Sequence, residues 1–384
     1  MKIVGPKLRY SVPGIEADLA SRKLVFLGGP RQVGKTTLAL RLLGGEDESH
    51  PAYFNYDDVR QRAALVRGEL PKAPFVVLDE IHKYPRWRNL LKGFYDTRRS
   101  STRFLVTGSA RLDLYRRGGD SLQGRYHYHR LHPFSFNELG AGHSDRTLVS
   151  HLLEHGGFPE PCLRGDARFT RRWRKERMER VLRDDVRDLE SVRDIGMLEL
   201  LVEALPARVG SPLSVKALSE DLQVSFATVE RWIQILERMY VCFRLAPFGA
   251  PRIRAVKKER KLYLWDWAAV PDPGPRFENF VACQLLKHCH LDEDTEGYRT
   301  ELRFLRDVDR RELDFVVLRD GKPRLCVECK TGERAVSAAA LYFSARAKLG
   351  DLYQVHRGTR DYLDRTAQVR VLPFERLCEE LALP

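Results

Sequence analysis

No stretch of this 384-residue chain approaches the roughly 18 uninterrupted apolar residues that a membrane-spanning helix needs. The opening MKIVGPKLRYSVPGIEADLA has no continuous apolar core and no cleavage pattern, so a signal peptide is not expected. Cysteine is sparse: seven residues, an odd number scattered over the whole length, do not make a disulfide framework. A cytoplasmic protein with no membrane partner is the expectation. Acidic residues are in deficit, 53 against 66 Lys and Arg, for a net charge of +13. That excess reads either as a solvated Arg-rich surface or as a face for a phosphate backbone, DNA first. Hydrophobic content of 43% with 31% charged residues describes a folded globular chain. At this length about two to four domains are expected.

What the chain does have, early on, is RKLVFLGGPRQVGKTTLALRLL. Leu24 to Leu27 have the length of a short buried strand, and Leu38, Leu40, Leu42 and Leu43 continue as a buried helix. Between them lies the Gly29-x4-Gly34-Lys35-Thr36 loop. Glycines let successive backbone N–H groups curl around phosphate oxygens at a helix N-terminus. Gly29, Pro30, Arg31, Gln32, Val33, Gly34, Lys35, Thr36 and Thr37 are therefore the candidate ATP cradle. Lys35 would reach the β- and γ-phosphates, and Thr36 would hold Mg²⁺.

A second element supplies the remaining chemistry. In PFVVLDEIHKYPRW, Phe75 to Leu78 form an apolar run ending in Asp79-Glu80. Asp79 is the candidate second Mg²⁺ ligand, and Glu80 the residue that polarises the attacking water. TRFLVTGSA ends in Thr107-Gly108-Ser109, with Ser109 a candidate γ-phosphate sensor. Its bland reading is a strand running into a polar turn. Arg125, in SLQGRYHYHRL, is the candidate for stabilising transition-state charge, in cis or from a neighbouring subunit of a homo-oligomer. Asp57 and Asp58 in FNYDD read as turn or switch residues, with no role assigned to them.

GGPRQVGKTTL, VVLDEIHKYPRW, TGSA, SLQGRYHYHRLHPFSFNEL and GGFPEP follow one another as in a large group of bacterial and archaeal AAA-type ATPases. The chain resembles that group over nearly its whole length. In it the ATPase precedes a C-terminal domain of unknown function, the family numbered 4143. The resemblance implies an α/β fold: a parallel-sheet P-loop core, a helical lid, a winged helix and a restriction-endonuclease-like domain. Residues 1–144, 145–205, 206–270 and 271–384 are the matching segments. It implies no substrate.

Between 145 and 205 the pattern is charged and helical, with Trp173, Met178, Val181, Leu182 and Leu189 set among arginines and alternating acids. An amphipathic lid helix with i, i+4 ion pairs is the expectation, a DNA-touching helix the alternative. Next, Val215, Leu218 and Leu222 give one helical face, and Val229, Trp232, Ile233, Leu236 and Met239 a second, with Ser225 as N-cap. Two short helices followed by YVCFRL read as a winged helix-turn-helix. Thr228, Arg231 and Gln234 would face outward, Glu230 would repel DNA, and PRIRAVKKERK would be a basic wing.

PDPGP at 271–275 breaks the chain, and RFENFVACQLLKHC reads as a helix carrying Glu278. The hairpin LDFVVLRDGKPRLCVECKTGER then offers Asp314, Glu328 and Lys330. Carboxylates converging on Mg²⁺ or Mn²⁺, with a lysine beside them, are what a metal-dependent nuclease needs. Here the chain is similar to the PD-(D/E)xK nuclease superfamily, with Leu-Asp in place of Pro-Asp. Glu278, Asp314 and Glu328 are the candidate ligands, and Asp314, Glu328 and Lys330 the candidate catalytic set. For Asp314 to oppose Glu328, the pairing must centre on Gly321, which calls for an odd-length loop. A two-residue Asp-Gly turn would put the acids on opposite faces, and Pro323 argues against it. Glu-x-Lys alone proves little, since it recurs at Glu259-Arg260-Lys261. The cysteines near these acids are expected to be buried free thiols.

The expected function is therefore an Mg²⁺-dependent ATP hydrolase controlling a nuclease-like domain that acts on DNA. The alternative is an ATP-driven switch whose nuclease-like domain binds without cutting.

Overall fold

The computed structural model describes residues 3, 5–6, 8–21, 24–45, 47–108, 122, 124–140, 146–186 (backbone alone for 184–186), 194–249 and 260–384. Ser109, Leu189 and residues 251–259 of the basic stretch lie outside them. The chain forms two compact units, Lys7–Pro133 and Met1–Pro6 with Phe134–Pro384.

The first unit is built on five parallel strands in the order β2-β3-β4-β1-β5. They are β1 (Leu24–Gly28), β2 (Tyr53–Asn55), β3 (Phe75–Asp79), β4 (Arg103–Thr107) and β5 (Tyr126–Arg130). Helices α1 (Val12–Ala20), α2 (Lys35–Leu42), α3 (Val59–Arg67) and α4 (Trp87–Arg98) surround them. Helices on the faces explain the near-continuous apolar strands, since a parallel sheet buries both sides. Leu24, Phe26, Val76, Leu78, Phe104 and Val106 pack into one core cluster. Val25, Leu27, Val77 and Leu105, one residue out of phase, pack into the other. Because every strand is parallel, all carboxyl ends share one sheet edge, where β1 meets the phosphate loop and β3 delivers Asp79.

The second unit begins with α5 (Arg146–His155), α6 (Pro159–Arg164), α7 (Ala167–Arg180) and α8 (Ile195–Ala204). Trp173 and Leu182 of the expected amphipathic segment are buried. Next come α9 (Val215–Asp221) and α10 (Phe226–Arg238), then the antiparallel pair β6 (Cys242–Leu245) and β7 (Lys261–Leu264). Ser225 caps α10 as its pattern suggests, its hydroxyl accepting from the Thr228 N–H at 3.1 Å. Arg231 and Gln234 are exposed, while Thr228 is half-buried and bonded to Ser225. Glu230 does not present a bare charge: Arg244 bonds it at 2.9 and 3.0 Å and also holds Glu237. Burial works to raise its carboxyl, but Arg244 holds it below its ordinary range.

PDPGP, read as a break, starts the longest helix, α11 (Pro273–Glu296), with Pro273 in its first turn. A six-stranded mixed sheet follows, in the order β12-β13-β11-β10-β9-β8. Its strands are β8 (Thr300–Arg306), β9 (Glu312–Arg319), β10 (Lys322–Lys330), β11 (Asp351–His356), β12 (Tyr362–Asp364) and β13 (Val369–Pro373). Helices α12 (Ala338–Arg346) and α13 (Phe374–Glu380) complete the unit.

The β9–β10 hairpin corrects the expected loop. Arg319 pairs with Lys322, so the turn is the two-residue Asp320-Gly321, with φ of 51° and 76°. Positive φ at both positions suits a tight hairpin. Pro323 is accommodated opposite Leu318, and the register then shifts by one between Pro323 and Leu325. This bulge reverses the parity that the short turn imposes. Beyond it Phe315 pairs with Val327, and the same register brings Asp314 to Glu328. Gly350, at φ 75°, lies against the bulge; a Cβ there would stand 2.0 Å from the Arg324 carbonyl oxygen.

Candidate functional site

Two glycines shape the phosphate loop for different reasons. A Cβ on Gly28 would stand 1.6 Å from the Tyr128 hydroxyl. Gly29 takes φ 139°, and a Cβ there would lie 2.3 Å from the Leu131 carbonyl oxygen. Gly34 caps α2 in the left-handed region, leaving the first N–H groups of the helix to bind an anion. Lys35 is buried, and its ammonium donates to the carbonyls of Gly29 at 3.0 Å and Pro30 at 2.8 Å. The loop is braced from outside the motif by Arg9, which donates to the Val33 carbonyl at 3.1 Å and to the His132 carbonyl at 2.5 Å.

Asp79 is buried, and its partners here are hydroxyl groups. Thr36 Oγ1 donates to its Oδ2 at 2.8 Å and the Tyr53 hydroxyl to the same oxygen at 2.7 Å. Thr107 donates to Oδ1. A hydroxyl and a carboxylate this close, at the edge where a helix N-terminus gathers anions, are the donor set Mg²⁺ favours. The residues fit the ion, with Thr36 and Asp79 as its holders.

Glu80 follows Asp79 at φ 56°, a left-handed conformation that non-glycine residues rarely take. Its carboxylate lies 3.4 Å from Lys83, which also binds Asp57 at 2.5 Å. Burial pushes the Glu80 carboxyl up, against the opposing charge of Lys83. Asp57 thus has a partner at the site, and Asp58 caps α3. Arg125 is not brought to the loop of its own chain. Its carbonyl accepts from the Leu24 N–H, at the amino end of β1, and its guanidinium pairs with Asp96 at 3.3 Å. The phosphate loop begins at the carboxyl end of that strand.

Residues 21–140 match the family model described as an AAA domain. That segment is similar to an AAA-type P-loop domain. Two domains of unknown function match behind the AAA domain, DUF8612 over 146–270 and DUF4143 over 273–377. An uncharacterised protein of Mycobacterium tuberculosis is 26% identical over 352 residues, 84% of this chain and 76% of that protein. One from Methanocaldococcus jannaschii is 22% identical over 350 residues, covering 82% and 77%. Among solved structures, the Aeropyrum pernix ORC1 protein in complex with DNA aligns at a TM-score of 0.34 and 14% identity, over 73% of this chain and 94% of that one.

In the second unit the acids meet a different partner. Lys261 of β7 is 99% buried on its side chain, and its ammonium lies 3.0 Å from Glu278 Oε1, 2.6 Å from Glu312 Oε1 and 3.5 Å from Asp314 Oδ1. Glu278 Oε1 also accepts from the Tyr263 hydroxyl at 2.7 Å. Asp314 Oδ2 accepts from the Cys329 N–H at 2.8 Å, and Lys330 bonds Glu328 Oε1 at 2.6 Å. Glu328 Oε2 is buried without a hydrogen-bond partner. Burial and the Asp314 charge push the Glu328 carboxyl up, against the opposing charge of Lys330. Among the described residues no three His, Cys, Asp or Glu side chains group as metal ligands. A divalent ion does not fit between Glu278 and Asp314 as they stand, because the Lys261 ammonium lies within 3.5 Å of both. No local pattern singles out Lys261 or Tyr53; in the sequence Glu259-x-Lys261 shows only how little the bare triplet proves. All seven cysteines are free, six of them buried.

Proposed function

We propose that the protein is an Mg²⁺-dependent ATP hydrolase whose AAA domain works as a nucleotide-driven switch, with DNA as its macromolecular partner. The observation that carries the hydrolase reading is the meeting of Thr36 and Asp79 at 2.8 Å, with Glu80 as the next residue. When bound, Mg²⁺ would neutralise charge on the β- and γ-phosphates. The backbone N–H groups from Gly29 to Thr37 would hold the phosphate chain, and Lys35 would leave its loop carbonyls for phosphate oxygens. Glu80 would orient the attacking water, with Lys83 steadying its carboxylate. Thr107 would keep Asp79 oriented from β4.

Support for DNA comes from the net charge of +13 and from α9, α10, β6 and β7, whose order is that of a winged helix. Arg231 and Gln234 are exposed on α10, and Arg244 neutralises Glu230.

Nucleotide binding and phosphate release by the purified chain test the reading, with Lys35→Ala and Glu80→Gln beside the wild type. Lys35→Ala is expected to lose ATP binding. Glu80→Gln is expected to hold ATP with turnover down at least 100-fold. Wild-type turnover in both variants would overturn the assignment.

A further inference from the structure

The acidic cluster of the second unit draws its residues from three separate elements. Glu278 comes from α11, Glu312 and Asp314 from β9, and the cation from β7, more than ten residues upstream of any of them. Lys261 is fully buried, and burial by itself would strip the proton from an amine. A lone ammonium in such a place is costly, yet three carboxylate oxygens within 3.5 Å compensate it. Tyr263, two residues along β7 on the same face, donates to the oxygen of Glu278 that Lys261 also contacts. Lys261 is thus surrounded as a bound cation would be.

We infer that Lys261 is a built-in replacement for a divalent cation, so that the C-terminal domain is a metal-free, non-cleaving module locked onto the β6–β7 hairpin. Three carboxyl groups converge there, and a metal entering would have to displace an ammonium already bonded at 2.6 and 3.0 Å. Two positive ions this close repel strongly in a buried site. The carboxylates therefore serve to join β7 to α11 and β9. Movement of the helix pair and hairpin would be passed to the six-stranded sheet through this node. The inference is independent of the ATPase reading, since it uses no residue of the phosphate loop.

The test is Mn²⁺ binding by the nucleotide-free full-length chain, read by electron paramagnetic resonance as the loss of the free-ion signal. Wild type and Asp314→Asn are expected to bind the same amount of Mn²⁺. Lys261→Met, checked for folding by circular dichroism, is expected to gain one site per chain. Lys261→Met with Asp314→Asn is expected to lose it again. A wild-type Mn²⁺ site that Asp314→Asn removes would overturn the inference, as would Mn²⁺-dependent DNA cleavage that Asp314→Asn abolishes. A folded Lys261→Met that gains no site would overturn it too. If Lys261→Met does not fold, the comparison of wild type with Asp314→Asn decides alone.

Discussion

Thr36 and Asp79, 43 residues apart in the chain, are joined by a 2.8 Å hydrogen bond from hydroxyl to carboxylate. The contact exists because β1 and β3, separated only by β4 in a parallel sheet, end at the same edge. A third residue completes it: Tyr53 of β2 donates to the same carboxylate oxygen as Thr36.

Tyr53→Phe removes a buried donor while keeping the ring's packing. Losing a hydrogen bond to a charged acceptor costs about 1.5–3 kcal/mol. Turnover is expected to fall by roughly 10- to 100-fold if that cost falls on the hydrolytic step. ATP affinity in the absence of Mg²⁺ is expected to stay near wild type. Steady-state phosphate release together with equilibrium nucleotide titration checks this; wild-type turnover would show that Tyr53 does not orient Asp79.

Gly350→Ala places a methyl 2.0 Å from the Arg324 carbonyl oxygen, at a backbone φ of 75°. Neither atom belongs to a flexible side chain, so β10 or β11 must move. Loss of more than about 3 kcal/mol is expected, beyond the usual range for a point substitution. Urea unfolding measures it, and a midpoint unchanged from wild type would refute the close approach.

His356 is buried, and its Nδ1 accepts the Gly358 N–H at 2.9 Å. Burial holds its pKa below the ordinary imidazole value. Because the folded-state pKa is the lower one, the unfolded chain binds the proton more readily. Stability from the neutral ring is then present above the unfolded pKa, about 6.5, and is lost as pH falls through the folded value. Urea midpoints for wild type and His356→Asn at pH 7.5 and 5.5 check the sign. The wild type is expected to lose more stability on acidification than the variant.

The parallel sheet was largely legible because a strand buried on both faces is an unbroken apolar run, as in VFLG and FVVLD. Ser225 was legible as a cap because capping is a local event between a side chain and an N–H three residues on. Arg125 was harder: its role turned on which end of β5 it occupies, and a residue beside a strand could belong to either sheet edge. The hairpin was harder still. A short Asp-Gly turn and a register shift at Arg324 cancel, and the shift is packed against Gly350, about 26 residues away just before β11.

The sequence by itself determined the phosphate loop, the Asp79-Glu80 strand end and the helical pair at 215–238, because each rests on neighbours within a few residues. Only the tertiary structure decided that Lys261 of β7 lies among Glu278, Glu312 and Asp314. Glu-x-Lys reads the same at 259 and at 328; which lysine meets which acids depends on how β7, α11 and β9 pack. Such packing is set by burial summed over the whole unit, a quantity that no short motif carries.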